Sequence, residues 1–177
     1  MTEGHALSEN TEMILAHKRL VGAFMQRVST ELFKRAVEHD YSKFSPEEFD
    51  TFEIATPKLK TLTYGSEAYK QALEDIKPAL QHHYAVNPHH PEFHRDGVAG
   101  MSLIDLIEMV CDWLAAIKRS ERGDIYKSLE INKKRFGIDD QLAQILENTA
   151  YALLSTKMGG TMFDFPVDRL TEEERKE

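Results

Sequence analysis

Apolar side chains recur along this chain at helical spacing almost throughout. Between residues 9 and 39 the stripe is Met13, Leu20, Phe24, Val28, Leu32 and Ala36, and it also carries His17. Ser45-Pro46-Glu47-Glu48 predicts a helix start, with Ser45 as N-cap, Pro46 in the first helical position and Glu48 three residues after the cap. That helix should reach about Ile54, and Thr56-Pro57 and Tyr64-Gly65 then bound a connector. From Ser66 onward, Tyr69, Leu73, Ile76 and Leu80 share one face of a helix that Pro78 kinks. It should end between His82 and Asn87, because a residue before proline is pushed out of the helical region. Residues 87–100, rich in Pro, Gly and His, predict a loop held in place by something.

Ser102 is placed to cap the most hydrophobic helix, Leu103 to about Ser120, which is apolar nearly all round and so predicted to be central. Gly123-Asp124 starts another helix that Gly137 ends. Asp139 caps the last one, reaching about Thr156. No β-alternation of useful length and no internal repeat occur. The expectation is an all-α fold of about six to seven helices, a single compact helical domain over residues 1–160. A partly flexible tail, 161–177, follows; its Met162, Phe163 and Phe165 are the side chains that could dock on the body.

Composition narrows the class. A chain of 177 residues suffices for one sizeable core, and 41% apolar with 29% charged residues is ordinary for a soluble domain. Met1 to Asn10 are polar, unlike a signal peptide, and no apolar run has the roughly 18 residues of a membrane span. One cysteine, Cys111, excludes an internal disulfide framework and fits a cytoplasmic setting; within Met109-Val110-Cys111 it reads as a small buried hydrophobe. A net charge of −8 argues against general nucleic-acid binding. A nucleotide substrate stays open, because a bound metal and a few cations reverse the potential inside a pocket. The acidic surface permits a homodimer without arguing for one.

Candidate chemistry is concentrated in histidine. Five of the eight histidines, His82, His83, His89, His90 and His94, fall within thirteen residues, and acids follow at Asp105, Glu108 and Asp112. Imidazole with carboxylate is a ligand set for divalent metals. Asp105, Glu108 and Asp112 share one helix face, and acids on so apolar a helix are costly unless paired or bound to a cation; the plain alternative is a solvent face. His39-Asp40 is the other focus. Adjacent helical residues point about 100° apart, so this pair converges on one ion only near a helix end, as the following Tyr41-Ser42-Lys43 suggests. Within the adjacent pairs His82-His83 and His89-His90 the side chains are expected to diverge, leaving two or three of the five histidines on metal or substrate. His17 lies 22 residues before His39, about 33 Å on a straight helix at about 1.5 Å per residue. The two share a site only if the segment breaks near Ser29-Thr30 and doubles back.

These spacings resemble the HD superfamily of metal-dependent phosphohydrolases, whose pattern is a histidine on an early helix, a His-Asp pair at a later helix end and a downstream aspartate. His17, His39-Asp40 and either Asp105 or Asp112 match those places, and His39-Asp40-Tyr41-Ser42-Lys43 looks like the His-Asp-x-Gly-Lys form, with Ser42 where glycine is usual. More closely, the chain is similar to an uncharacterised family of bacterial and phage proteins. The likeness rests on His39-Asp40-x-Ser42-Lys43, Thr56-Pro57-Lys58-Leu59-Lys60, His82-His83-Tyr84 with His89-His90-Pro91-Glu92, and the 103–116 helix.

The HD resemblance implies one or two divalent ions (Mn, Mg, Co, Ni, Fe or Zn) on ligands drawn from His17, His39, Asp40, His82, His83, His90, Asp105 and Asp112. It implies hydrolysis of a nucleotide or similar small phosphate ester in the cytoplasm of a bacterium or phage-infected host. Asp40 would accept the water's proton and Lys43 would clamp phosphate, with His89, His94, Glu108 and Arg95 facing substrate and Lys58 and Lys60 as weaker clamps. The rival expectations are a di-iron-type oxygenase on a related scaffold, or a non-catalytic metal- or ligand-binding protein such as a phage host-interaction factor.

Overall fold

The structure, a computed structural model, describes residues 8–118 and 123–155. Within them lie seven α-helices and no strand, so the fold is all-α. The expected tail at 161–177 lies outside the described residues. No described helix is long and apolar enough to cross a membrane. The chain divides into two compact units, Met1–Tyr41 and Ser42–Glu177.

The first unit is one helix, α1 (Glu9–Glu38), 30 residues long and capped by Ser8, whose hydroxyl accepts from the Thr11 N–H. Ion pairs between Arg35 and Glu31 and between Lys34 and Glu38 support its last turns. The break near Ser29-Thr30 that a site shared by His17 and His39 would need does not occur. Thr30 stays in the helix by donating its hydroxyl to the Gln26 carbonyl one turn back, at 2.9 Å. This corrects the reading of His17: on an unbroken helix it stays about 33 Å from His39, too far for both to bind one ion. At the far end His39 is the C-cap, and Asp40 has φ 57°, the only non-glycine described residue with positive φ. Aspartate tolerates this left-handed conformation better than most residues, and strain of this kind gathers at functional positions.

In the second unit, Ser45-Pro46-Glu47 forms a turn rather than the first helical residues. The Ser45 carbonyl accepts from the N–H groups of Glu48 and Phe49, so the helix starts three residues late, as α2 (Phe49–Lys60). Pro57 lies inside α2, where a connector was expected. The helix expected from Ser66 is two, α3 (Glu67–Asp75) and α4 (Lys77–Val86). Pro78 sits in the first turn of α4, where a missing N–H costs nothing. The loop beyond contains two short 3-10 turns, Pro91–Phe93 and Gly97–Gly100.

Three helices complete the unit: α5 (Leu103–Lys118), α6 (Ile125–Phe136) and α7 (Asp140–Ser155). Asp124 caps α6 through the N–H groups of Tyr126 and Lys127, and Gly137 closes it at φ 63°, as the sequence predicts. Leu106, Met109 and Val110 of α5 pack with Ile125, Ile138, Leu146 and Ala150, which form the buried core. Cys111 is exposed, contrary to expectation. Met109 and Val110 take the inward face of α5, and the next residue turns about 100° away. The buried Asn132 accepts from the Tyr64 hydroxyl at 3.0 Å, tying α6 to the segment before α3.

Candidate metal centre

The second unit gathers its histidines around a carboxylate that sequence reasoning assigned to a helix cap. Because α2 starts late, Glu48 points inward instead of back to Ser45, and its side chain is fully buried. A buried carboxylate without partners costs several kcal/mol. Glu48 has three. Its Oε1 lies 2.7 Å from His82 Nδ1, its Oε2 lies 2.9 Å from His83 Nδ1, and the Ser42 hydroxyl donates to Oε2 at 3.1 Å. Asn87, the C-cap of α4, donates its amide to the Ser42 hydroxyl and to the His83 carbonyl, both at 2.8 Å.

A carboxylate only accepts, so both Nδ1 atoms carry the hydrogen. The Nε2 of His83 lies on the opposite side of the ring and is the nitrogen left to face a proton or a cation. That atom lies 3.0 Å from His90 Nε2. Two ring nitrogens at this distance share either a proton or a cation. Bound to one ion at about 2.1 Å each, they would subtend roughly a right angle. His89, 1% exposed, is the third member: His83, His89 and His90 each bring one ring nitrogen within 4.8 Å of the others. Glu108 on α5 lies 3.1 Å from His89 Nδ1. The cluster therefore combines three imidazoles with a carboxylate hydrogen-bonded behind His83, an arrangement that fixes tautomer and orientation in histidine metal sites, and with Glu108 beside His89.

The remaining candidates divide. His82 and His83 do not diverge, because the two oxygens of Glu48 hold one ring each. His82 keeps its other side toward solvent and joins no cluster of metal-capable groups among the described residues. His89, expected on substrate, is among the most buried groups of the unit. His94 hydrogen-bonds the Pro88 carbonyl at 2.8 Å and braces the loop.

Asp105 is also reassigned. Its Oδ2 accepts from both the N–H and the hydroxyl of Ser102 at 2.7 Å, while the Asp105 N–H donates back to the Ser102 hydroxyl: a reciprocal helix cap. Asp112 follows Glu108 by one turn on α5 and is half-buried. Lys43 holds its ammonium over the Phe52 ring at 5.5 Å, and Phe52 in turn meets His83 edge-on at 5.7 Å. Arg95 is exposed, and Lys58 pairs with Asp75 at 3.7 Å. In the first unit His39 and Asp40 turn toward each other, Nε2 to Oδ2 3.6 Å, as a helix end permits.

The cap assignment has a measurable consequence. Asp105→Ala is expected to lower unfolding free energy by about 1–2 kcal/mol in urea denaturation. Metal uptake per folded molecule in equilibrium dialysis should stay within about twofold, where loss of a ligand would cost well over the 10-fold minimum for an outer partner. A loss of that size would return Asp105 to the ligand set.

Glu48, Asn87 and Ser42 are not among the site residues of the sequence reading. Glu48 carried a signal, an acid three residues after Ser45, but that signal belongs equally to a capping box. Comparison with known proteins adds one relationship: the model of a family of unknown function matches residues 6–152. No curated protein and no solved structure matches the chain.

Proposed function

We propose, for a chain that belongs to DUF5662, a family of unknown function, that it is a divalent-metal-dependent phosphohydrolase acting on a nucleotide or a similar small phosphate ester. The observation that carries the reading is the convergence of His83, His89 and His90, with His83 Nε2 aimed into the cluster by buried Glu48. Three imidazoles favour the series from Mn to Zn over Mg, which prefers oxygen. A bound ion would supply a water of lowered pKa and neutralise phosphate oxygens.

The chain's own groups do the positioning. Glu48 orients His83, and Glu108 lies beside His89. Lys43, held over Phe52, is the cation offered to a phosphate oxygen. His39 and Asp40 enter as ligands, and Asp40 as proton acceptor, on the strength of the sequence motif alone. With His17 and Asp105 removed from the HD-type pattern, Asp112 is its remaining downstream aspartate.

Metal analysis of the purified protein, followed by a nucleotide-hydrolysis screen with Mn²⁺, Mg²⁺, Co²⁺ or Ni²⁺, tests the reading. Metal uptake with ion-dependent turnover is expected. Protein that binds none of these ions and hydrolyses nothing overturns it. Coloured, iron-loaded protein that consumes oxygen would favour a di-iron-type oxygenase, and tight metal without turnover a non-catalytic metal-binding protein.

A further inference from the structure

Arg135, near the end of α6, belongs to none of the groups discussed so far, yet it touches both elements that carry the cluster. One guanidinium nitrogen donates to the Tyr84 hydroxyl at 3.0 Å and to Glu92 Oε1 at 2.7 Å. Tyr84 is on α4, immediately after His83, and its ring lies against the His90 ring with centroids 4.8 Å apart. Glu92 is in the turn Pro91–Phe93, whose N-cap is His90 and whose Phe93 N–H is held by the His90 carbonyl. The guanidinium also lies over the Phe136 ring at 4.6 Å, and Phe136 stacks on Trp113 of α5. Burial opposes the charge of Arg135, but Tyr84 and Glu92 outweigh it and raise its pKa, so it stays protonated.

We propose that Arg135 is a positioning residue that straps His90 into the histidine cluster, fixing its ring through Tyr84 and its backbone turn through Glu92; the metal-binding consequence rests on the reading above. His90 needs such a hold. Its neighbours in sequence, Pro88 to His94, form a loop with a single three-residue 3-10 turn and no α-helix to fix the ring direction. The pair Arg135–Glu92 is more than 30% exposed on both sides, so it adds little to stability. The strap's effect should therefore appear in the site rather than in folding.

The test uses the whole chain with Co²⁺ as probe. Arg135→Ala is expected to bind Co²⁺ about 10- to 100-fold more weakly, the range for partners that orient metal-bound histidines, and to change the visible d–d bands while helical circular dichroism is kept. Arg135→Lys should rescue little, since an ammonium lacks the planar guanidinium that lies over Phe136 while one of its nitrogens serves Tyr84 and Glu92. In metal-free protein, the His90 ring ¹⁵N–¹H signals should broaden or split in Arg135→Ala, with those of His82 unmoved. Glu92→Gln, a change at the exposed end, should give the same pattern more weakly. Unchanged His90 signals in Arg135→Ala overturn the strap, and so does wild-type Co²⁺ affinity in that variant. If the parent protein binds no Co²⁺ while the His90 signals still change, the strap stands and the metal reading falls.

Discussion

Replacing His83 by alanine is expected to weaken Co²⁺ binding by more than about 100-fold, beyond the range typical of outer partners, whereas His82→Ala should weaken it by no more than about tenfold. The two residues are adjacent, lie on the same helix and hydrogen-bond the same carboxylate, so composition and local structure treat them alike. They differ in where the second ring nitrogen goes. His83 Nε2 faces His90 at 3.0 Å, while the His82 ring is about one-third exposed. Both variants leave Glu48 one donor short, so both should lose stability, with the larger loss at His83 because a nearly buried ring also leaves a cavity. Titration of folded protein with Co²⁺, followed in the visible spectrum, separates the site effect from the folding effect. Equal losses of affinity in the two variants would mean that the outer role of His82 is wrong.

Glu48 should show the largest stability effect of any single change in the second unit. Glu48→Ala leaves two imidazole N–H groups and the Ser42 hydroxyl without their acceptor in a buried place, and about 3 kcal/mol of unfolding free energy should be lost. Glu48→Gln keeps the shape but offers one acceptor oxygen and an amide donor. The oxygen can stay with His83 while the amide faces His82, whose exposed ring can shift its hydrogen to Nε2 and accept. A loss of about 1 kcal/mol is therefore expected for Gln. Co²⁺ affinity should nonetheless fall about 10- to 100-fold, because the negative carboxylate charge behind His83 is gone. Urea denaturation of the metal-free variants gives the first quantity and Co²⁺ titration the second. An alanine variant within about 0.5 kcal/mol of the parent would show that Glu48 is not paired as described.

The reassigned residues share a pattern. His17 dropped out because the helix runs unbroken past Thr30, whose hydroxyl bonds the Gln26 carbonyl. Asp105 was weighed as a ligand because acids on an apolar helix need a partner; the partner is Ser102, three residues earlier, in a cap. Glu48 had the opposite fate, with a cap-like position and a buried, histidine-bound carboxylate. In all three cases the residue type and spacing allowed two uses, one local and one long-range.

What the sequence determined by itself is the helical content: the apolar period, the caps at Ser66, Ser102, Asp124 and Asp139, and the left-handed stop at Gly137. Those signals act within about one helical turn, where side-chain spacing and backbone hydrogen bonding are written into neighbouring residues. It also placed five histidines within thirteen residues, 82–94. Which histidines converge was decided only in tertiary structure. His82 and His83 meet Glu48 across 34 and 35 residues, His83 meets Ser42 across 41, and Arg135 reaches Glu92 across 43. Contacts of that span depend on how α2, α4, α6 and the loop pack. A one-residue change in where α2 begins turns Glu48 by about 100°, so no local pattern could have told a cap from the centre of a site.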